Sequence, residues 1–253
     1  MTISPSSRAV QQYATTSGNL TARMAIHSFS TNPQHWFDFV AARLPATGDV
    51  LEVGAGTGKL WSHVDRSRMR LTLTDFSEAM CAHLRTVDDA TVHRCDAAGL
   101  PFAPASFDTV VANHMLYHLD DPAAALREFA RVLRPGGRLL AAVNGRDHMA
   151  ELLALGPLIG RPDLTLSAAR NDVTAESVPH LVASHFTGVT VERYPSDLSV
   201  PSPDPVLAFL SSIAATPLTP AEEAAARALV EARIATDGTF HIHKHTVLIT
   251  ADR

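Results

Sequence analysis

Apolar and polar positions change rhythm twice along this chain. Over residues 20–44 the apolar residues fall at helical spacing, with a break at "STNP" (30–33), where Asn32 and Pro33 suit a helix start. From residue 49 short apolar runs alternate with amphipathic stretches. "DVLEV" (49–53), "RLTLTD" (70–75), "ATVHRCD" (90–96), "SFDTVVAN" (106–113) and "RLLAAVN" (138–144) read as strands. Between them residues 59–64, "SEAMCAHLRTV" (77–87) and "DPAAALREFARVL" (121–133) read as helices. Ser77 caps the second of these, Asp121 and Pro122 open the third, and "RPGG" (134–137) reads as a turn. Strands alternating with helices predict an α/β fold, a parallel sheet flanked by helices.

After Asn144 the rhythm stops. Residues 145–187 hold short helical pieces and several prolines, and "GVTVERY" (188–194) reads as a strand. "PSDLSVPSPDP" (195–205) reads as a loop, and residues 204–236 are Ala-rich and helical. "TFHIHKHTVLITA" (239–251) alternates and predicts one final strand. The expected organisation is an N-terminal helical lid over 1–47 and one domain over 48–253, with cap insertions at about 145–187 and 195–238. No internal repeat or low-complexity tract interrupts it.

The first strand runs straight into "GAGTG" (54–58). Glycine removes the Cβ and lets a ligand approach the backbone, and the following helix presents free N–H groups. A dinucleotide loop of the form G-x-G-x-x-G needs glycine where this chain has Lys59. Glu52, inside the strand, disfavours a pyrophosphate and suits a cationic ligand that carries an amino acid. Asp75 and Asp96 close the second and third strands, at the edge where open α/β sheets bind ligands. Asp75 is placed for two ribose hydroxyls, Asp96 for an adenine amino group, and Phe76 and Met80 for the two faces of the ring. Asn113, at the end of the fourth strand, is placed for the ligand's amino-acid end.

Composition narrows the function classes. The charge balance is 21 − 26 = −5 with no basic block, so no nucleic-acid partner is expected. Two cysteines exclude a disulfide framework. The polar N-terminus lacks a signal core, and no stretch approaches the roughly 18 apolar residues of a membrane span. A cytoplasmic protein without membrane insertion is expected.

"LEVGAGTGKL", "LTDFSEAM", "RCDAAGLPFAPASFDTVVANHMLYHLDDP" and "LREFARVLRPGGRLL" together resemble the class I S-adenosylmethionine-dependent methyltransferases, over roughly residues 48–144. The "PF…SFD" step and "RPGG" resemble the subgroup that acts on small molecules, including ubiquinone- and sterol-type methyltransferases. The resemblance implies a Rossmann-like seven-stranded sheet with an antiparallel last strand, and S-adenosylmethionine as cofactor. Gly54, Ala55, Gly56, Glu52, Asp75, Phe76, Met80, Asp96, Ala97 and Asn113 are then the expected cofactor residues. In related enzymes an N-terminal segment folds over the cofactor, which adds Tyr13 near its methionine end and Arg23 for its carboxylate.

Other residues carry candidate chemistry. His114 and His118 stand four apart, and either is a candidate general base or substrate-orienting donor, packing being the alternative. Met115 stands where a zinc-binding H-E-x-x-H needs Glu, so no metal is expected. His241, His243 and His245 alternate on the last strand and fall at the cofactor edge if it is antiparallel; His241, His243 and Trp36 are candidate substrate contacts. Expected is methyl transfer to a small, partly hydrophobic metabolite, on O, N or C, of the kind found in secondary metabolism. The alternatives are a nicotinamide-dependent oxidoreductase and a non-catalytic cofactor-binding protein.

Overall fold

The computed structural model describes residues 23–166 and 172–253. Seven strands form one sheet: β1 (Gly48–Val53), β2 (Met69–Asp75), β3 (Ala90–Arg94), β4 (Phe107–Asn113), β5 (Leu133–Asn144), β6 (Thr187–Arg193) and β9 (Thr246–Asp252). Their order is β3-β2-β1-β4-β5-β9-β6. β1, β2, β3, β4 and β5 pair in parallel, and β9 runs antiparallel between β5 and β6. This is the Rossmann-like α/β sheet with an antiparallel last strand. The chain winds outward from β1 to β3, then returns to β4 on the other side of β1. The C-terminal ends of β1 and β4 therefore flank the switch point, where such sheets hold ligands.

Strand alternation sends neighbouring residues to opposite faces. Leu51, Val53, Val110, Ala112, Leu139 and Ala141 pack with α3 (Pro122–Val132) and α6 (Val178–Ala183) on one face. Val50, Leu71, Leu73, Val111 and Leu140 pack with α1 (Trp36–Ala41), α2 (Glu78–Leu84) and the 3-10 turn Lys59–His63 on the other. Ser77 and Asp121 cap α2 and α3 through their side chains. α1 starts after His35, whose ring accepts from the Phe37 amide, and not at Asn32–Pro33.

A third core lies beyond the strand ends. β7 (Leu198–Val200) and β8 (Phe240–Ile242) pair antiparallel as a separate two-stranded sheet. They pack with α4 (Ala150–Leu153), α5 (Leu155–Leu158), α7 (Pro203–Ile213), α8 (Pro220–Asp237) and Ile26. Asn144 pairs with Thr246 and Arg193 with Val247, so this cap leaves and rejoins the sheet at the C-terminal edge of the parallel strands.

Several local expectations are corrected here. The single strand expected over 239–251 is two, because residues 240–242 pair with β7 and residues 246–252 with β5 and β6. Residues 243–245 between them bond to the segment after β5: Gly145 N donates to His245 O at 2.8 Å and Met149 N to His243 O at 2.9 Å. The loop expected over 195–205 contains β7, and the helical stretch 204–236 is α7 and α8, separated after Ile213. R-P-G-G is not a free turn but lies within β5. Phe107 pairs with Leu133 and Thr109 with Arg138, so the intervening residues bulge, with Gly136 at φ +77°.

Phe129 is fully buried at the centre of α3. Phe129→Ala is expected to lower the free energy of unfolding by about 3–5 kcal/mol, because it leaves a cavity against the sheet. Urea unfolding followed by circular dichroism measures this, and a change below 1 kcal/mol (about the mean for any substitution) contradicts the assigned packing.

Candidate active site

The loop after β1 is shaped by three glycines at positive φ: Gly54 at +69°, Gly56 at +57° and Gly58 at +72°. A Cβ at Gly54 would lie 2.8 Å from Cβ of Met115, in the loop after β4. Gly58 likewise abuts Leu84 and Val87. Gly56 differs, because nothing lies within 4 Å of the place its Cβ would occupy. The loop is thus closed on two sides by protein and open at Gly56. Ala55 N is used by Thr74 O at 2.9 Å.

Asp75 ends β2 beside that opening. Its Oδ2 accepts from Gly56 N at 3.0 Å and its Oδ1 from Ser77 N at 2.8 Å. Burial raises its pKa, while these amide bonds oppose the rise. Next to it Phe76 is 51% exposed, a free aromatic face at the strand edge. Met80 is buried, so the ring sandwich expected from Phe76 and Met80 presents only its Phe76 side openly. Asp96 is exposed just past β3 and accepts from Ala98 N at 2.9 Å; Ala97 is buried beside it.

Glu52, expected as a carboxylate suited to a cationic ligand, is buried on β1. It points to the face that carries Trp61, is 2% exposed, and accepts from Trp61 Nε1 at 2.5 Å. Burial, with a smaller contribution from Asp75, pushes its pKa up to about 8, against the Trp61 hydrogen bond. A carboxyl protonated at neutral pH braces the loop from beneath and offers no charge to a cationic ligand.

β4 ends at Asn113, whose Oδ1 accepts from Trp36 Nε1 at 3.3 Å. His114 follows in the left-handed region at φ +56°. Its ring lies 5.2 Å from that of Trp36, and Trp36 lies 5.2 Å from Tyr194. Burial lowers the pKa of His114 to about 3 and that of His118 to about 4, with Lys244 adding to the first and Arg23 to the second. Both are neutral at pH 7. His118 ends the 3-10 turn Leu116–His118, and Arg23 also donates to Ser212 O at 2.8 Å. Tyr13 lies outside the described residues.

Residues 51–141 match the family model described as a methyltransferase domain. The ubiquinone/menaquinone biosynthesis C-methyltransferase of Desulfotalea psychrophila is 37% identical over 112 residues, 42% of this chain and 46% of that relative. This segment therefore resembles a methyltransferase domain. The chain spans about half the length of the curated relatives that it matches first. Among solved structures, phosphoethanolamine N-methyltransferase 2 of Haemonchus contortus, with phosphomonomethylethanolamine and S-adenosylhomocysteine, superposes with a TM-score of 0.59 at 17% identity. That match covers 100% of this chain and 60% of the other. The [4+2]-cyclase SpnF also superposes at 0.59, with 20% identity over 100% of this chain and 98% of its own. At these identities the two structures speak for the fold alone.

Near the C-terminal edge of the parallel strands, basic side chains form an outer and an inner set. His241 lies on β8 and is largely exposed, with Nε2 3.4 Å from Asp197 Oδ2. It faces outward, because β8 belongs to the cap sheet and not to β9. His243 Nδ1 lies 3.2 Å from Asp197, and its Nε2 3.5 Å from Asp147. His245 Nδ1 lies 2.6 Å from Asp147 and 3.7 Å from Glu176. Asp147, Glu176 and His245 bring one possible ligand atom each within 4.8 Å of one another; Asp147 also faces His243, and Glu176 accepts from Arg146 N at 3.3 Å. A Cβ at residue 145 would run into the His245 ring, which explains Gly145.

The inner set is His27, His114, His148 and Lys244. His148 and Lys244 are buried, and His148 Nδ1 accepts from His245 N at 3.2 Å. Sequence reasoning singled out neither. The signal was present for Lys244: Phe240, Ile242, Lys244 and Thr246 form the inward phase of the alternating segment, and all four are buried. His148 carried no such signal, because the segment after β5 has no period. A groove of about 450 Å³ between α7 and α8, lined by Leu207, Ser211 and Arg227 among others, lies away from these groups.

Glu52 gives a testable pH effect. The folded protein keeps a proton up to about pH 8 that the unfolded chain releases near 4.5. Stability from this group is therefore full below the lower value and is lost as pH rises to the upper one, at up to about 1.4 kcal/mol per pH unit. The buried histidines stop contributing a slope above about pH 6.5, the ordinary imidazole value. Between about pH 6.5 and pH 8 wild type should lose stability relative to Glu52→Gln in urea titrations. Parallel curves for the two proteins rule out a protonated Glu52.

Proposed function

We propose that this protein is an S-adenosylmethionine-dependent methyltransferase that acts on a small, partly hydrophobic molecule. The observation that carries the reading is the opening at Gly56 beside the Asp75 carboxylate, within a methyltransferase domain. A ligand backbone can lie against Gly56 where no Cβ intrudes, and Asp75 retains lone pairs for a ribose diol. Asp96 suits the adenine amino group, Phe76 one face of the ring, and Asn113 and Arg23 the amino-acid end. Bound there, S-adenosylmethionine supplies a methyl group already activated on a sulfonium.

The chain's own contribution is alignment and exclusion of water. His114 and His118 flank the position as neutral imidazoles. With pKa values of about 3 and about 4 they hold a proton too weakly to retain it at neutral pH. They are suited to orienting the acceptor through hydrogen bonds. The substrate reading rests on the cap, which leaves and rejoins the sheet at this edge on its own apolar core. Such walls suit a small molecule with apolar surface. No helix among the described residues is long and apolar enough to cross a membrane.

Calorimetry with S-adenosylhomocysteine and with NADH tests this assignment. S-adenosylhomocysteine should bind and NADH should not; the opposite pattern overturns the reading. Asp75→Ala should weaken S-adenosylhomocysteine by about 1–3 kcal/mol, as when hydrogen bonds to a charged acceptor are lost. Asp75→Asn, which keeps an acceptor for one backbone amide, separates ligand loss from loop loss. An unchanged Kd in both variants reduces Asp75 to a structural clamp.

A further inference from the structure

Lys244 sits between β8 and β9 with only 7% of its surface exposed. Its backbone is pinned from both sides: its N donates to Asp197 Oδ1 at 2.9 Å, and Arg193 donates to its carbonyl at 3.3 Å. The side chain is therefore directed by a fixed backbone. Nζ stands 5.3 Å from the centre of the Tyr194 ring, which meets Trp36, which in turn meets His114. The loop holding His114 continues to Met115, which abuts Gly54 of the cofactor loop. Lys244 thus belongs to a wall that runs unbroken to the proposed cofactor site.

Two observations on this wall point to an anionic ligand. Among the described residues no carboxylate lies within ion-pair distance of Lys244 Nζ; Asp197 is near enough to act on it but spends its oxygens on the Lys244 amide, His241 and His243. Secondly, Nδ1 of His27 and Nδ1 of His114 are fully buried and have no hydrogen-bond partner. A buried ammonium without a counter-ion and buried imidazole nitrogens without partners are each unfavourable alone. An oxyanion offers a counter-charge to the first and an acceptor to such imidazole nitrogens.

We propose that Lys244, with His27 and His114, forms an oxyanion site for the methyl acceptor, which makes the substrate a small organic acid: a carboxylate, or a phenol or enol bound as its anion. The inference rests on the methyltransferase reading. For a phenol or enol the proton leaves to solvent on binding, and the Lys244 ammonium stabilises the oxygen anion left behind. In transfer to that oxygen an O–CH3 bond forms and the S–CH3 bond breaks, its electron pair returning to sulfur. The net change is one positive charge lost at sulfur and one negative charge lost at oxygen. A carboxylate held here can instead anchor an acceptor that is methylated elsewhere.

The groups facing Lys244 fit this task. His27 and His35 come from the N-terminal side, His114 from the loop after β4, His148 from the segment after β5, and Arg193, Tyr194 and Asp197 from the end of β6 and beyond. Burial lowers the Lys244 pKa to about 8, and Asp197 opposes that shift. His27 and His114 are held near 3 and His148 well below its ordinary value, so they add no competing charge at pH 7.

The test uses the full-length protein saturated with S-adenosylhomocysteine and three probes: 4-nitrobenzoate, 4-nitrophenol and neutral nitrobenzene. Quenching of tryptophan fluorescence reads binding, Trp36 being the tryptophan beside His114. Wild type should bind at least one anionic probe more tightly than nitrobenzene. Preference for nitrobenzoate assigns a carboxylate, and preference for nitrophenol with a lowered apparent ionisation pH assigns a phenol or enol. Lys244→Met should weaken the preferred anion about 10- to 100-fold and leave nitrobenzene unchanged. It should melt no lower than wild type, because it removes a buried charge. Lys244→Arg should restore part of the anion preference. Nitrobenzoate affinity should fall above about pH 8 in wild type and not in Lys244→Met. The proposal is overturned if no anion outcompetes nitrobenzene, or if Lys244→Met binds anions like wild type. It is also overturned if Lys244→Met loses S-adenosylhomocysteine to the same degree, which moves the oxyanion to the cofactor. Unchanged S-adenosylhomocysteine binding with no anion preference leaves the methyltransferase reading intact and removes only the oxyanion site.

Discussion

The Asp75 carboxylate holds together two parts of the molecule that the sheet alone leaves apart. One oxygen takes the Gly56 amide from the loop after β1, and the other takes the Ser77 amide at the start of α2. Both amides belong to turns with no strand partner to satisfy them. The same carboxylate thus fixes the loop shape, the origin of α2 and the direction of its own free lone pairs. Positive φ at Gly54 and Gly56 favours glycine, and Gly54 is further confined by Met115. Opening and acceptor therefore arise from one local arrangement.

The parts of the fold written in local patterns were legible from sequence. Alternating runs marked the strands, Ser77 and Asp121 marked two helix starts, and the glycines marked the tight loop after β1. What was missed depended on pairing across long separations. β7 is three residues inside a Pro-rich stretch, and only its partner β8, some forty residues on, makes it a strand. The same pairing splits what reads as one continuous strand, since two different sheets claim its two halves. R-P-G-G follows turn chemistry locally, yet β4 on one side holds it as a bulge.

Site residues divide along the same line. Strand alternation alone sends Glu52 to the opposite face from Leu51 and Val53, but only the folded chain brings the Trp61 indole to that face. Spacing marks His241, His243 and His245 as co-facial. It says nothing of the carboxylates of Asp147, Glu176 and Asp197, which come from other segments and hold these rings. Lys244, the residue between them in phase with Phe240 and Ile242, was the more informative exception. A charged residue at an apolar phase is a local conflict, and such conflicts concentrate where a protein does chemistry.

One residue type thus serves two electrostatic purposes within a few ångströms. The outer imidazoles of His241, His243 and His245 sit against carboxylates, where either protonation state finds a partner. The inner imidazoles of His27, His114 and His148 are largely withdrawn from water, and this desolvation keeps them neutral. Had the inner set stayed charged, its repulsion would drive the proton from Lys244 and cancel the positive wall. Because it is neutral, no neighbouring cation among these histidines opposes the Lys244 charge, and its worth to an anion rises as water is excluded. The apolar cap and the buried cation are then two halves of one requirement: the cap removes the water that would otherwise weaken the attraction of Lys244 for an acidic substrate.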